Sequence, residues 1–209
     1  MILRQSLMQV ILLCFSVACV QAEPIVVSYL HGTPNSFLGK ELLKRIYEKA
    51  GSDVRFEKYT SALSLRLSSK GVIDGETHRI FSLANDFPNL IRVPTAFSYV
   101  APTVFVNNQS NIDFKVEGWA SLKPYRVGAV QGMRYAELGL KESIHKVETV
   151  TGSDQLLRML ESSRIDIAVT GNINGLYHIN SMGLTHISEL TPAIEKDALY
   201  HYLNIKHGA

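Results

Sequence analysis

The chain has 209 residues, 46% of them hydrophobic and 19% charged, a globular composition that excludes a disordered or collagen-like protein. Lys and Arg number 21 against 19 Asp and Glu, for a net charge of +2, and no run of basic residues concentrates that charge. Nothing here holds a polyanion by counterion release, so nucleic acid is not an expected partner.

At the N-terminus, Arg4 precedes an uncharged, mostly apolar run at 7–20, followed by Val20-Gln21-Ala22 with small or medium side chains where a signal peptidase reads. The run is shorter than the roughly 20 residues a spanning helix needs. It reads as a cleaved secretory signal, cut after Ala22, that delivers the protein to the periplasm. Lipidation at Cys19 is the alternative, although Ser16-Val17-Ala18 lacks the usual leucine. Cys14 and Cys19 both fall inside the signal, so the mature chain from Glu23 is expected to have no thiol or disulfide and to be held by its core alone.

Residues 24–30 read as a strand, His31-Gly32-Thr33-Pro34-Asn35-Ser36 as a loop, and 37–50 as a helix in which Leu38, Leu42, Leu43, Ile46 and Tyr47 recur at three and four and Gly51 ends the pattern. A strand at 53–59 and a short helix at 61–69 follow. Residues 72–80 and 90–93 read as further strands, and 100–106 is an apolar run interrupted by Pro102. The polar stretch 107–114 is the candidate linker. Alternation then resumes: strand 126–130, helix 133–140, strand 147–150, helix 153–162, strand 165–170 and helix 173–181. Residues 190–206, with Leu199, Leu203, Tyr200 and Tyr202, are expected to form a terminal helix.

Repeated β-α alternation predicts an α/β fold with two mainly parallel, helix-flanked sheets, because parallel neighbours need crossovers that helices provide. Lobe 1 is expected to comprise 23–106 and 192–209, and lobe 2 to comprise 107–191.

Five places carry a likeness to a known family: residues 25–43, Gly71-Val72-Ile73-Asp74-Gly75-Glu76, the strand and turn from Tyr125 through Gly132-Met133, the stretch Ser163 to Val169, and Tyr200-His201-Tyr202 onward. In order and spacing they resemble the family 3 bacterial extracellular solute-binding proteins, over nearly all of the mature chain. The resemblance implies a type 2 periplasmic-binding fold, a monomer whose lobes close on a small polar solute, and delivery to an ABC-type membrane transporter. It also implies a terminal helix continuing past His207, so the final segment is expected to be truncated.

The implied site lies between the lobes. Gln131-Gly132-Met133-Arg134 ends a strand and opens a helix, so its amides suit a carboxylate, with Gln131 or Arg134 adding a hydrogen bond. Arg79 lies in the region where amino-acid-binding members place a carboxylate-binding arginine; pairing with Glu76 is its alternative, and Glu76 itself is a candidate contact. Asp74 reads as structural. Tyr29, His31 and Asn35, in the first loop, and Tyr99 lie where the family sets an aromatic against its ligand, with core packing as the alternative for each tyrosine and a surface position as the alternative for His31. Beyond the strand ending near Val169 stand Thr170, Gly171 and Asn172 instead of the aspartate that receives an amino acid's ammonium, so standard amino-acid recognition is in doubt.

No hydrolase, zinc-protease, redox or P-loop motif occurs, the seven histidines are scattered, and no cofactor or metal is expected. The protein therefore reads as a non-enzymic binder. Two alternatives stand beside transport: a periplasmic enzyme on the same fold, such as a dehydratase using Glu76 with His78 to move a proton, or a ligand-sensing module that reports to a membrane receptor.

Overall fold

The computed structural model describes residues 23–141 and 147–207; the predicted signal lies outside them. In chain order the elements are β1 (Ile25–Leu30), α1 (Pro34–Ala50), β2 (Val54–Tyr59), α2 (Ser61–Ser69), β3 (Gly75–Ile80), α3 (Leu83–Asp86), β4 (Leu90–Val100), β5 (Pro102–Asn107), β6 (Val127–Val130), α4 (Arg134–Lys141), β7 (Val147–Val150), α5 (Ser153–Glu161), β8 (Ile167–Gly171), α6 (Asn172–Met182), β9 (Ile187–Glu189) and β10 (Asp197–Asn204). They build two sheets, ordered β2-β1-β3-β10-β4 in lobe 1 and β7-β6-β8-β5-β9 in lobe 2.

Both sheets are mixed. β1, β2 and β3 run parallel, as do β6, β7 and β8, because helices return the chain between them. β10 is antiparallel to β3 and β4, and β5 is antiparallel to β8 and β9. Each of β5 and β10 is entered from the other lobe, so neither needs a helical crossover.

These pairings correct three expectations. The chain crosses between lobes at Val100–Pro102, not after residue 106, because β5 bonds to β8 and β9. The polar stretch 107–114 follows β5 within lobe 2 and links nothing. The segment expected as a terminal helix is instead the second crossing and the strand β10. There Leu190 and Ile194 still donate their N–H groups to β5 carbonyls, at 2.8 Å each, before the chain rejoins lobe 1.

A continuous apolar core fills lobe 2 and extends through the crossings to Leu30, Ile80, Val100 and Leu199 at the lobe 1 border. Smaller clusters lie under α2 (Leu65, Leu83, Leu90, Tyr202) and under α1 (Val27, Leu43, Tyr47). Trp119 packs against the lobe 2 core. Lobe 1 thus leans on lobe 2 as well as on its own thin layers.

Candidate functional site

Where the strand ends of the two sheets meet, the structure leaves a partly open cavity of about 40 Å³. At roughly 10–15 Å³ per water-sized sphere, this volume admits about three waters. Thr33 and Asn35 border it from the start of α1, Met133, Arg134 and Tyr135 from the start of α4, and Asn174 from the first turns of α6. His78, Arg79 and Ile80 of β3 face these helix starts, and Leu30, Val100 and Leu199 complete the apolar wall. Three helix N-termini therefore converge on the cavity and favour negative charge within it.

The lobes touch at four polar points around this space. Asn35 donates its backbone N–H to Asn174 Oδ1 at 3.1 Å, and the Ser61 hydroxyl donates to the Gly132 carbonyl at 2.7 Å. His178 Nε2 lies 2.9 Å from the Gly32 carbonyl, which can only accept, so that nitrogen carries the proton. Arg134 of α4 pairs with Asp86 of α3 as well as with its own Glu137, the latter at 2.6 Å.

Arg79 and Glu76 form a buried unit on β3, at 5% and 1% side-chain exposure. A regular strand would turn residues three apart to opposite faces. Here Arg79 pairs with Tyr200 and Glu76 with Tyr202, so β3 spends an extra residue against β10. This bulge brings Glu76 and Arg79 to the α2 side. The carboxylate accepts from Arg79 Nε at 2.9 Å and Nη2 at 2.7 Å, and from the hydroxyls of Ser28, Ser64 and Ser68 at 2.6–2.9 Å. Arg79 Nη1 donates to Ser61 Oγ at 2.8 Å and Nη2 reaches the Ser61 carbonyl at 3.4 Å. By the guanidinium's donor count, one N–H on Nη1 lacks an acceptor among the described residues. Arg134 Nε is likewise buried without a partner.

His78 faces the other side of the sheet, packed against Gly39 of α1, with Nδ1 2.9 Å from Ser98 Oγ. Burial, and then the nearby Arg79 charge, push its pKa down to about 3, so the ring is neutral near pH 7. Glu76 and His78 therefore do not form the proton-moving pair considered from the sequence: they lie on opposite faces, and both carboxylate oxygens are occupied. Burial raises the Tyr135 hydroxyl to about 12, and it accepts the Gly171 N–H at 3.1 Å. Among the described residues no group of His, Cys, Asp or Glu is placed to hold a metal ion.

Of the residues singled out in the sequence, Arg79, Met133 and Arg134 border the cavity, Gly132 forms the seam with Ser61, and Glu76 stands behind Arg79. Asn35 and His78 also border it. Gln131 is exposed on the turn, and Thr170 is buried against Ser153 at 3.1 Å. Asn172 opens α6 and donates its N–H to the Ala101 carbonyl at 3.0 Å. Tyr29 and His31 line a separate outer groove of about 510 Å³. Tyr99 is 49% exposed, with Lys196 Nζ 4.0 Å from its ring centroid. Asp74 is structural, accepting the Val26 N–H at 2.6 Å. Asn174, Tyr135, Thr33 and Ser61 were not singled out; Ser61, Tyr135 and Asn174 each stand at a predicted helix start, which was the one signal that could have found them.

No family model matches the chain. Among curated proteins, an uncharacterized protein of Shewanella oneidensis is 26% identical over 167 residues, which cover 76% of this chain. The match spans 62% of that relative's length. Solved structures are similar over most of both chains. A histidine kinase sensor domain with similarity to periplasmic binding proteins superposes with a TM-score of 0.74 at 19% identity, covering 90% of this chain and 84% of that one. The GluR0 ligand-binding core complexed with L-glutamate gives 0.74 at 9% identity, covering 90% and 86%. An ancestral arginine-binding protein bound to arginine gives 0.73 at 16% identity, covering 90% and 87%. The chain has the two-lobed fold of periplasmic binding proteins of type 2, and the likeness extends to that fold without selecting family 3 within it.

Proposed function

We propose that the protein is an exported ligand-capturing module, used for sensing, whose lobes close on a small carboxylate-bearing solute without transforming it. The observation that carries this reading is the donor-rich cavity: guanidinium groups from opposite lobes, Arg79 and Arg134, border it, and among the described residues no Asp or Glu side chain does. A buried N–H without an acceptor costs about 1–3 kcal/mol, which a carboxylate oxygen at that point would relieve. Asp86 and Glu137, which balance Arg134, are 46% and 33% exposed, so solvent screens them more than it screens groups facing the cavity. Glu76 is consumed by Arg79 and the serines. A cationic group on the ligand would find no carboxylate partner, and the apolar wall favours a compact body.

The sensing role is supported by the likeness to a histidine kinase sensor domain, with a membrane receptor as the partner. Among the described residues no helix is long and apolar enough to cross a membrane. The leader predicted from the sequence at 1–22 supports export. The test is a thermal-shift panel of acetate, pyruvate, succinate, arginine, putrescine and glucose, followed by NMR analysis of each mixture. Carboxylates lacking an amine are expected to raise Tm; at about 100 times Kd the gain of ~2.7 kcal/mol corresponds to roughly 5–11 °C for a chain of this size. Stabilisation by putrescine or glucose alone overturns the assignment of the solute, and conversion of any compound overturns the non-catalytic reading.

A further inference from the structure

We propose that Glu76 is the positioning residue of this site, fixing the Arg79 guanidinium so that its remaining Nη1–H faces the cleft, an inference that rests on the reading of the cavity as a carboxylate site. Glu76 is unavailable to a ligand. Oε1 accepts from Ser64 at 2.7 Å and Ser68 at 2.6 Å, while Oε2 takes Ser28 and the Arg79 Nε and Nη2 edge. Those bonds use the carboxylate's lone pairs.

Stability alone does not account for the arrangement. A buried ion pair recovers little more than its desolvation cost, and an apolar pair of similar volume would pack as well. The surroundings are nevertheless built for it. Ser61, Ser64 and Ser68, at spacings of three and four, are all buried on α2, although serine is a weaker helix former than alanine. Each bonds to Glu76 or Arg79. The bulge in β3 is the remaining device, because without it the two side chains would face apart.

Geometry assigns the consequence. Clamping Nε and Nη2 on Glu76 leaves only the Nη1 edge to face outward, where Ser61 Oγ takes one hydrogen and itself donates to Gly132 of the other lobe. Two N–H groups held on the one oxygen Oε2 remove rotational freedom that an arginine would otherwise lose on binding. The ligand then meets a donor already in place, and the same residues set the seam on which the lobes meet.

The experiment uses the mature protein, acetate as probe, and the variants Glu76→Gln and Gly183→Ala. Gly183 caps the end of α6 at φ +68° with open space around it, so alanine there strains the backbone and leaves the clamp untouched. In the unliganded wild type the Arg79 Nε–H resonance is expected to exchange slowly; exchange as fast as that of a solvent-exposed arginine overturns the proposal, whether or not any variant folds. Glu76→Gln is expected to lose that protection and to bind acetate at least about tenfold more weakly, with Gly183→Ala close to wild type in both. Wild-type affinity in folded Glu76→Gln overturns the proposal, as does an equal loss in Gly183→Ala, which would mark a general structural effect. Failure of the wild type to bind acetate counts against the carboxylate reading instead. Positioning is then decided by the resonance alone: its loss in Glu76→Gln supports the proposal and its persistence overturns it.

Discussion

Replacing Gly132 with alanine tests the interlobe seam most directly. Gly132 has φ +79°, and a Cβ there would lie 2.7 Å from the Ala62 backbone nitrogen and 2.9 Å from Ser61 Cβ, both in the opposite lobe. Ordinary contact begins near 3.4 Å, so the lobes must part by roughly 0.7 Å at this point. That movement stretches the Ser61–Gly132 hydrogen bond from 2.7 Å to roughly 3.4 Å and removes most of its net ~0.5–1.5 kcal/mol from the closed form. At about 1 kcal/mol, the closed-to-open ratio falls about fivefold. The strain of a side chain at positive φ adds about 1 kcal/mol in either form, lowering Tm by roughly 2–4 °C. Gly183→Ala separates these terms, because Gly183 has φ +68° and open space around it. Melting curves and small-angle scattering of both variants are the assay. Gly132→Ala is expected to melt lower and show a larger radius, and Gly183→Ala only to melt lower. Equal radii for the two variants and the wild type would refute the seam.

Leu156, fully buried in α5, is expected to cost about 2–5 kcal/mol on truncation to alanine, lowering Tm by roughly 5–15 °C; a change under 2 °C would remove it from the core. Acid should destabilise the protein through His78. Burial holds its folded pKa at about 3, against the ordinary histidine value of 6.5, so the unfolded chain takes up the proton first. Its stabilising contribution is complete above pH 6.5 and is lost as the pH falls toward 3. Burial depresses His201 in the same direction, whereas Asp197, raised from the ordinary 3.8 to about 6 by burial and then by Glu195, opposes them as the pH falls from about 6 to 3.8. Urea unfolding at pH 7 and pH 4.5 should show a smaller loss in His78→Gln than in the wild type; parallel losses would contradict a buried neutral ring.

The helix over α1 was legible from spacing, but its packing face was not. Leu38, Leu42 and Ile46 are 46–51% exposed, and the buried stripe is Asn35, Gly39, Leu43 and Tyr47. Period identifies a helix, while the choice between adjacent stripes depends on the sheet beneath it. In β10 the apolar pair Leu199 and Leu203 is four apart, a spacing that satisfies a strand as well as a helix. Tyr200 and Tyr202, with their preference for strands, were the better signal. Pro102 marked the true crossing, since proline is tolerated at a strand's first residue.

The site was legible only in part for a related reason. Arg79 and the turn at Gly132 belong to local patterns, and both lie at the cleft. The clamp on Arg79 depends on pairings that a local pattern does not encode. Ser28, Ser64 and Ser68 look like surface residues in isolation, and become carboxylate ligands only when β1 and α2 flank β3. Alternation along a regular strand sets Glu76 and Arg79 on opposite faces. The bulge that reverses this is imposed by β10, whose Tyr202 pairs with Glu76 and whose His201 bonds the Glu76 carbonyl at 2.7 Å. The orientation of the guanidinium is therefore fixed by a strand that joins the sheet only after the chain has built lobe 2, which makes lobe 1's half of the site dependent on the return crossing.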